Sequence, residues 1–172
     1  MKTLRADHYI QLGVRYTNAF ELVIQDIDVT LAVKKVTIPK MSTESIEVSY
    51  GNSTVYLAGK TNSGGEMSIE VRELLDADVV GSLTAWHKLT YNELTGAVGR
   101  PSEYKKNATL YRTDGEGNTI ETWNIEGLWV KSIDLGDADY DTVEANTVSV
   151  SFAMDRITRA DYDSIAATAI NA

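Results

Sequence analysis

The sequence contains no cysteine and only two histidines among its 172 residues. The absence of cysteine excludes a disulfide framework and thiolate chemistry. His8 and His87 do not fall in a metal-binding spacing such as HExxH. No run approaches the ~18 consecutive apolar residues of a membrane-spanning helix, and residues 1–20 lack an apolar segment of signal-peptide length. We therefore expect no metal, no cofactor, no membrane insertion and no export signal.

Catalytic motifs are also missing. There is no glycine-rich phosphate loop and no G-x-S-x-G elbow. The two glycines of residues 114–118 (DGEGN) lie between predicted strands and not ahead of a helix, which favours a turn. Nothing singles out one carboxylate pair among the 25 acidic residues. We name no catalytic residue, and an enzyme is the least favoured class.

The formal net charge is −9. Specific recognition of nucleic acid requires clustered Lys and Arg, so an acidic chain argues against it. An acidic surface repels DNA, which is useful where DNA slides past without binding. The length and the hydrophobic share of 43% suit one domain over residues 1–172, with residues 1–18 as an N-terminal arm.

Residues 44–71 are the stretch around which the chain is organised. A turn at Gly51-Asn52 separates two runs rich in β-branched and aromatic residues, which predicts a hairpin with a type II′ turn. The predicted pairs are Tyr50 with Ser53, Val48 with Val55, and Ile46 with Leu57. One face is then apolar: Ile46, Val48, Tyr50, Val55 and Leu57. The other face is largely polar: Glu47, Ser49, Thr54 and Tyr56.

Two-stranded ribbons are barely stable alone, so we expect the apolar face to be covered. It packs either on this chain's own core or on a neighbouring copy. Composition alone favours the first alternative.

The rest of the chain reads mostly as strands. Residues 67–71 alternate cleanly, as a half-buried return strand does. Further strands are predicted at residues 20–24, 29–33, 33–38, 106–112, 119–130 and 147–154, with turns or loops at 26–28, 61–65 and 96–101. A helix is predicted over residues 73–91 from a stripe of Leu75, Val79, Leu83, Trp86 and Leu89. Residues 155–172 form either a tail or a helix at 162–170.

Trp123 and Trp129 lie six residues apart in one predicted strand, which places them on one face with Ile125 between them. Gly127 predicts a β-bulge in the same strand.

An acidic loop is predicted at residues 134–144. Asp137, Asp139 and Asp141 begin like a calcium loop, but Thr142 and Val148 occupy the positions where glycine and glutamate are required. A solvated loop and an acidic ring contributed by several subunits are the alternatives. The overall pattern predicts a mainly β fold, an antiparallel barrel or sandwich with one flanking helix and an extended hairpin.

Several stretches, in order, resemble the tail tube protein family of contractile-tailed bacteriophages, which is related in fold to type VI secretion and bacteriocin tube proteins. The likeness covers residues 20–156. It is carried by residues 49–52 (SYGN), 55–60 (VYLAGK), 100–108 (RPSEYKKNA), 125–130 (IEGLWV), 134–141 and 146–154. Residues 155–172 extend past the usual end, so nothing is carried over there.

The resemblance implies a structural subunit in the virion tail, assembled in the host cytoplasm. Six copies close a ring, and rings stack into a tube inside a sheath, with baseplate and tail-terminator partners, through which DNA passes. It also favours a neighbouring copy as the cover of the hairpin. The implied interface comprises Ile46, Val48, Tyr50, Asn52, Val55 and Leu57. The candidate channel acids are Glu47, Asp137, Asp139 and Asp141.

Two alternatives remain open. The same fold serves as the tube of a type VI secretion system, a bacteriocin-like tail or an extracellular injection particle. Less favoured is a β-sandwich carbohydrate-binding module that uses Trp123, Trp129 and Tyr140 as an aromatic platform.

Overall fold

A computed structural model describes residues 19–29, 32–38, 41–73, 78–114, 116–136 and 145–160. The N-terminal arm, Asp137, Asp139, Asp141 and residues 161–172 lie outside this part of the chain. The described strands are β1 (Phe20–Ile24), β2 (Val33–Thr37), β3 (Ser42–Tyr50), β4 (Ser53–Asn62), β5 (Gly65–Arg72), β6 (Tyr91–Asn92), β7 (Ala97–Val98), β8 (Lys106–Thr113), β9 (Thr119–Asp134), β10 (Thr147–Met154) and β11 (Arg156–Arg159). The described helices are α1 (Val79–Lys88) and α2 (Pro101–Tyr104).

Seven strands form one antiparallel sheet in the order β1-β8-β9-β10-β5-β2, with β11 also pairing with β9. The 16-residue strand β9 divides this sheet into two halves. Its first part pairs with β8 and β11, and its last part pairs with β10. We call β1, β8, β11 and the first part of β9 the first half-sheet, and β2, β5, β10 and the last part of β9 the second half-sheet. The predicted mainly β antiparallel fold is confirmed.

A bulge in β9 connects the two half-sheets. Gly127 has φ +66°, a left-handed conformation that glycine adopts without steric cost. Trp123 pairs with the buried Leu110 before the bulge, whereas Trp129 pairs with the partly exposed Ala153 after it. The prediction that both tryptophans share a face is therefore wrong, because the bulge inserts one residue and reverses the alternation.

The core lies between the inner faces of the two half-sheets and is completed by α1. The apolar stripe of α1 buries Val79, Leu83 and Trp86. The centre of the Trp86 ring lies 5.5 Å from that of the Phe152 ring on β10. Asp78 caps the helix, since its Oδ1 accepts a hydrogen bond of 2.7 Å from the backbone N–H of Gly81. The predicted stripe extends too far, because Leu89 is exposed.

Three other boundaries differ from the predictions. The backbone N–H groups of Ala32 and Val33 both bond to the carbonyl of Val29, and the described strand β2 begins only at Val33, so Val29 and Ala32 do not belong to the strand predicted at 29–33. Strand β4 continues to Asn62 and shortens the loop predicted at 61–65. Strand β11 extends the sheet into residues 156–159, which lie before the helix considered at 162–170 and where the sequence predicts no strand.

Candidate assembly surfaces

The hairpin β3–β4 has the predicted register. Tyr50 pairs with Ser53, Val48 with Val55, and Ile46 with Leu57. Gly51 has φ +59°, and Asn52 is not among the residues of positive φ, which agrees with the predicted type II′ turn.

This hairpin forms a two-stranded sheet of its own. All five side chains of its apolar face are exposed, from 43% at Val48 to 85% at Tyr50. The alternative in which this face packs on the chain's own core is therefore wrong. So small a ribbon gains little stability from its own contacts, and its exposed face is a contiguous apolar surface.

Within the described residues, the second half-sheet ends in two strand edges that pair on one side only. Strand β2 pairs with β5, and the last part of β9 pairs with β10. In the first half-sheet, by contrast, strand β11 also bonds to the segment between β4 and β5, since the Ile157 N–H donates to the carbonyl of Ser63 over 2.9 Å. In the part of the chain that the structure covers, the second half-sheet therefore has an open edge at each of its sides.

A groove lies where the two half-sheets separate at β1 and β2. Its volume is about 480 Å³. Its apolar lining consists of Phe20, Val36, Ile38 and Leu110, and its basic lining consists of Lys34, Lys35 and Arg112. Phe20, Val36 and Ile38 are partly buried and pack against the core. We call this set the β1–β2 groove.

Positive charge exceeds negative charge around the β1–β2 groove. Lys34 and Lys35 share one carboxylate, that of Glu70, at 3.7 and 3.1 Å. The hydrogen bond from Lys35 is the main cause that lowers the pKa of Glu70 below its ordinary value. Arg112 and Arg159 likewise share the carboxylate of the buried Glu121, at 3.6 and 3.7 Å. Among the described residues that line the groove, three are cations and none is acidic.

The outer face of the second half-sheet is mainly polar, apart from Trp129 on β9. Strand β10 exposes Ser149 and, partly, Ser151, while its alternate residues are buried. Lys131 on β9 forms an ion pair with Glu66 on β5, with β10 lying between these two strands. The charges on this face are therefore largely paired within the chain.

The candidate channel acids are not brought together within the described residues. Glu47 lies on the exposed polar face of the hairpin, whereas Asp137, Asp139 and Asp141 lie outside those residues. In the part of the chain that the structure covers, no three His, Cys, Asp or Glu side chains group so as to hold a metal ion. Neither described helix has the length and apolar character to cross a membrane.

The two tryptophans of the carbohydrate-binding alternative do not form an aromatic platform, and Tyr140 lies outside the described residues. Trp123 is directed inward, packs against the core, and its Nε1 lies 3.4 Å from Glu121 Oε2. Trp129 lies on the outer face of β9 and packs edge-on against Tyr104, with ring centres 5.9 Å apart. Two rings on opposite faces of one strand do not provide a common sugar-binding plane.

The sheet edges and the β1–β2 groove are not indicated by the sequence, because both depend on contacts between distant segments. The adjacent lysines Lys34 and Lys35 close to Pro39 were one available signal. Charged side chains and proline are common on edge strands.

A comparison with protein families finds no matching family, and a comparison with curated protein sequences finds no significant match. Solved structures do match. A chain of the sheath–tube complex of an extracellular contractile injection system (PVC, extended state) aligns with TM-score 0.68 and 14% identity, over 91% of this chain and 98% of that chain.

Two further matches come from related assemblies. A chain of the tube-terminating cap of the anti-feeding prophage gives TM-score 0.66 and 14% identity, over 86% of this chain and 93% of that one. A chain of the PVC sheath/tube terminator gives TM-score 0.65 and 15% identity, over 86% and 99%. This chain therefore shares its fold with chains of contractile injection systems.

Proposed function

We propose that this chain is the structural subunit of the inner tube of a contractile tail or injection particle, built from copies of the chain itself. The observation that carries the proposal is the exposed apolar face of the β3–β4 hairpin, on a fold shared with chains of sheath–tube and terminator assemblies. Its interface residues are Ile46, Val48, Tyr50, Asn52, Val55 and Leu57.

The second half-sheet supports ring formation through its two open edges. Its four strands alternate in direction, so β2 and β9 run in opposite directions. The β2 edge of one copy can therefore continue the antiparallel sheet at the β9 edge of the next. Such head-to-tail contacts close into a ring when the rotation between copies closes, and closure removes the open edges. We propose a ring of six.

In such a ring the outer face of the second half-sheet lines the channel. Its serines and internally paired charges give a wall with little net attraction for a passing polymer. This proposal places the channel wall on residues such as Ser149 and Ser151. The predicted acids Glu47, Asp137, Asp139 and Asp141 remain candidates for the rims between rings.

The passenger depends on the particle. In a phage tail the tube would conduct DNA into the host, with sheath, baseplate and tail-terminator proteins as partners. In a secretion, bacteriocin-like or extracellular injection system it would carry protein or nothing. Neighbouring genes for a capsid and a large terminase would support the phage assignment.

Negative-stain electron microscopy of the purified protein tests the proposal. Rings or tubes are expected at high concentration, or after addition of the baseplate complex as a nucleus. A protein that stays monomeric under both conditions would overturn the proposed function.

A further inference from the structure

We propose that residues 161–172 of the same chain dock in the β1–β2 groove. This segment, DYDSIAATAINA, follows directly on Ala160, where the described part of the chain ends. The contacts are made by side chains that line the groove, and the backbone edge of β2 stays available. Because these contacts lie within one chain, the proposal does not depend on the proposed function.

The described chain ends close to the groove. The Ala160 N–H donates to the carbonyl of Thr122 on β9 over 2.9 Å. The preceding residue of β9, Glu121, pairs with Arg112 on β8, and Arg112 pairs in turn with Phe20 on β1. Phe20 and Arg112 both line the groove. Ala160 therefore lies at the same end of the first half-sheet as one wall of the groove.

The segment is long enough to cross from the end of β11 to the groove. Strands β11, β9, β8 and β1 are successive neighbours in the first half-sheet. Three strand spacings of roughly 4.8 Å therefore separate the end of β11 from β1, about 15 Å in all. An extended chain of the length of residues 161–172 spans up to about 40 Å. Part of the segment can thus bridge the gap while the rest lies in the groove.

Charge favours this segment over the other end of the chain. Among the described lining residues of the groove, three are basic and none is acidic. Two of the three, Lys34 and Lys35, contact a single carboxylate, that of Glu70. Residues 161–172 contain two aspartates and no lysine or arginine, whereas residues 1–18 contain three basic residues and one acidic residue. Opposite charges on facing surfaces fix orientation and disfavour wrong contacts, which selects the acidic segment.

The apolar side chains of the segment suit the floor of the groove. In the helix considered at residues 162–170, Tyr162, Ile165 and Ile170 lie on one side. The groove, with a volume of about 480 Å³, has room for a few side chains of one segment and not for a folded partner. Burying apolar surface on both sides of the contact is its driving force. The floor that these side chains would cover consists of Phe20, Val36, Ile38 and Leu110.

Disulfide trapping within one chain tests the position, since the natural chain has no cysteine. Ile38→Cys combined with Ile165→Cys should form a disulfide inside the monomer when dilute protein is treated with oxidised glutathione, as detected by mass spectrometry. Leu94→Cys combined with Ile165→Cys is the control and should not pair, because Leu94 lies 97% exposed on the turn between β6 and β7. If Ile38→Cys pairs instead with Leu12→Cys of the N-terminal arm, or only with a second chain, the proposal is overturned.

Charge reversal with rescue tests the electrostatic part of the contact. The single variant Ile38→Cys reports access to the groove through its rate of reaction with a maleimide. Asp161→Lys with Asp163→Lys should raise this rate about fivefold, the size expected from the loss of two exposed ion pairs. Adding Lys34→Glu with Lys35→Glu should restore most of the protection. A rate that does not respond to the aspartate changes would contradict the proposed pairing.

Two further measurements complete the test. Lys88→Glu, at an exposed lysine in the last turn of α1, is the matched control for charge reversal and should leave the labelling rate unchanged. In the unaltered chain, nuclear Overhauser effects are expected between methyl groups of Ile165 or Ile170 and those of Val36 in the monomer fraction. If neither these effects nor the disulfide within the monomer is observed in folded protein, as verified by circular dichroism, the segment does not occupy the groove.

Discussion

Gly127 faces Asp155 so closely that a Cβ at position 127 would overlap the Asp155 carboxyl group. Asp155 uses both of its carboxyl oxygens to accept hydrogen bonds from Lys105 Nζ, at 2.8 and 2.7 Å. The bulge of β9, the end of β10 and the segment before β8 therefore meet at one glycine. A side chain at position 127 is therefore unfavourable for two separate reasons: the left-handed backbone conformation and the lack of space for a Cβ.

Gly127→Ala should lower the free energy of unfolding by more than Gly96→Ala does. Both glycines have nearly the same φ, +66° and +67°, so each alanine carries a left-handed strain of about 1–2 kcal/mol. Only position 127 has a side chain in the way, whereas nothing lies within 4 Å at position 96. Urea unfolding of both variants measures the difference. Equal losses would show that Asp155 moves aside freely.

Val48→Asp or Val55→Asp should block assembly and leave the chain folded. Both side chains are exposed and paired with each other across the hairpin, so the change costs the monomer little, whereas a buried unpaired carboxylate in an interface costs several kcal/mol (roughly 3–5). Thr54→Asp, on the opposite face, is the control and should still assemble. Sedimentation and electron microscopy measure assembly, and circular dichroism measures folding. A collapsed spectrum would contradict the prediction.

Trp86→Phe should destabilise the fold. The buried indole Nε1–H donates to the backbone carbonyl of Tyr104 over 2.6 Å, which ties α1 to the segment ahead of β8. Losing this hydrogen bond costs about 1–3 kcal/mol, with a further cost for the lost volume. Trp123→Phe should cost less, because Trp123 is only partly buried and its Nε1 contact is 3.4 Å long. Chemical denaturation of the two variants compares them.

Asp114 should stabilise the turn before β9 in a pH-dependent way. The side-chain hydrogen bond from Asn118 is the main cause that lowers the pKa of Asp114 below its ordinary value of 3.8. A lowered folded-state pKa gives a stabilisation that is present above pH 3.8 and is lost as the pH falls through the folded-state pKa.

Asp114→Asn keeps an oxygen for the backbone N–H groups of Glu116 and Asn118 but loses the acceptor for Asn118 Nδ2. The variant should be less stable than wild type at neutral pH, and the difference should shrink below pH 3.8. Urea unfolding across this range measures it. A difference that does not change with pH would contradict the assignment.

Ser149→Cys should report the channel wall. Its side chain is exposed on the outer face of the second half-sheet, so a bulky maleimide should react readily with the monomer and slowly with assembled tubes. Leu94→Cys, on the β6–β7 turn, is the control for general loss of reactivity. Equal labelling rates at position 149 in monomer and tube would place this face on the outside.

Local signals in the sequence predicted much of this fold. Gly51-Asn52 fixed the register of the hairpin, and alternation identified the buried Met67, Ile69 and Val71 of β5. The tryptophans show the limit of such signals, because the bulge at Gly127 inserts one residue and so moves Trp129 to the face opposite Trp123. Strand β11 cannot be predicted from alternation, because its four residues are too few to show a pattern and it pairs with the distant strand β9.

The candidate assembly surfaces could likewise be predicted only in part. The resemblance favours exposure of Val48 and Val55 in the single chain. Only the tertiary structure determines whether the core covers them. The β1–β2 groove could not be foreseen, since Phe20, Lys35 and Arg112 are far apart in the chain and meet only when the sheet folds.

The opposite directions of β2 and β9 do not determine how many copies such a ring contains. Each added copy continues the alternation, so strand direction alone permits any number of copies around the circle. The bore of the tube would then be set by the angle between neighbouring copies, which depends on the side chains at the two edges. Substitutions there would widen or narrow the conduit while the subunit keeps its fold.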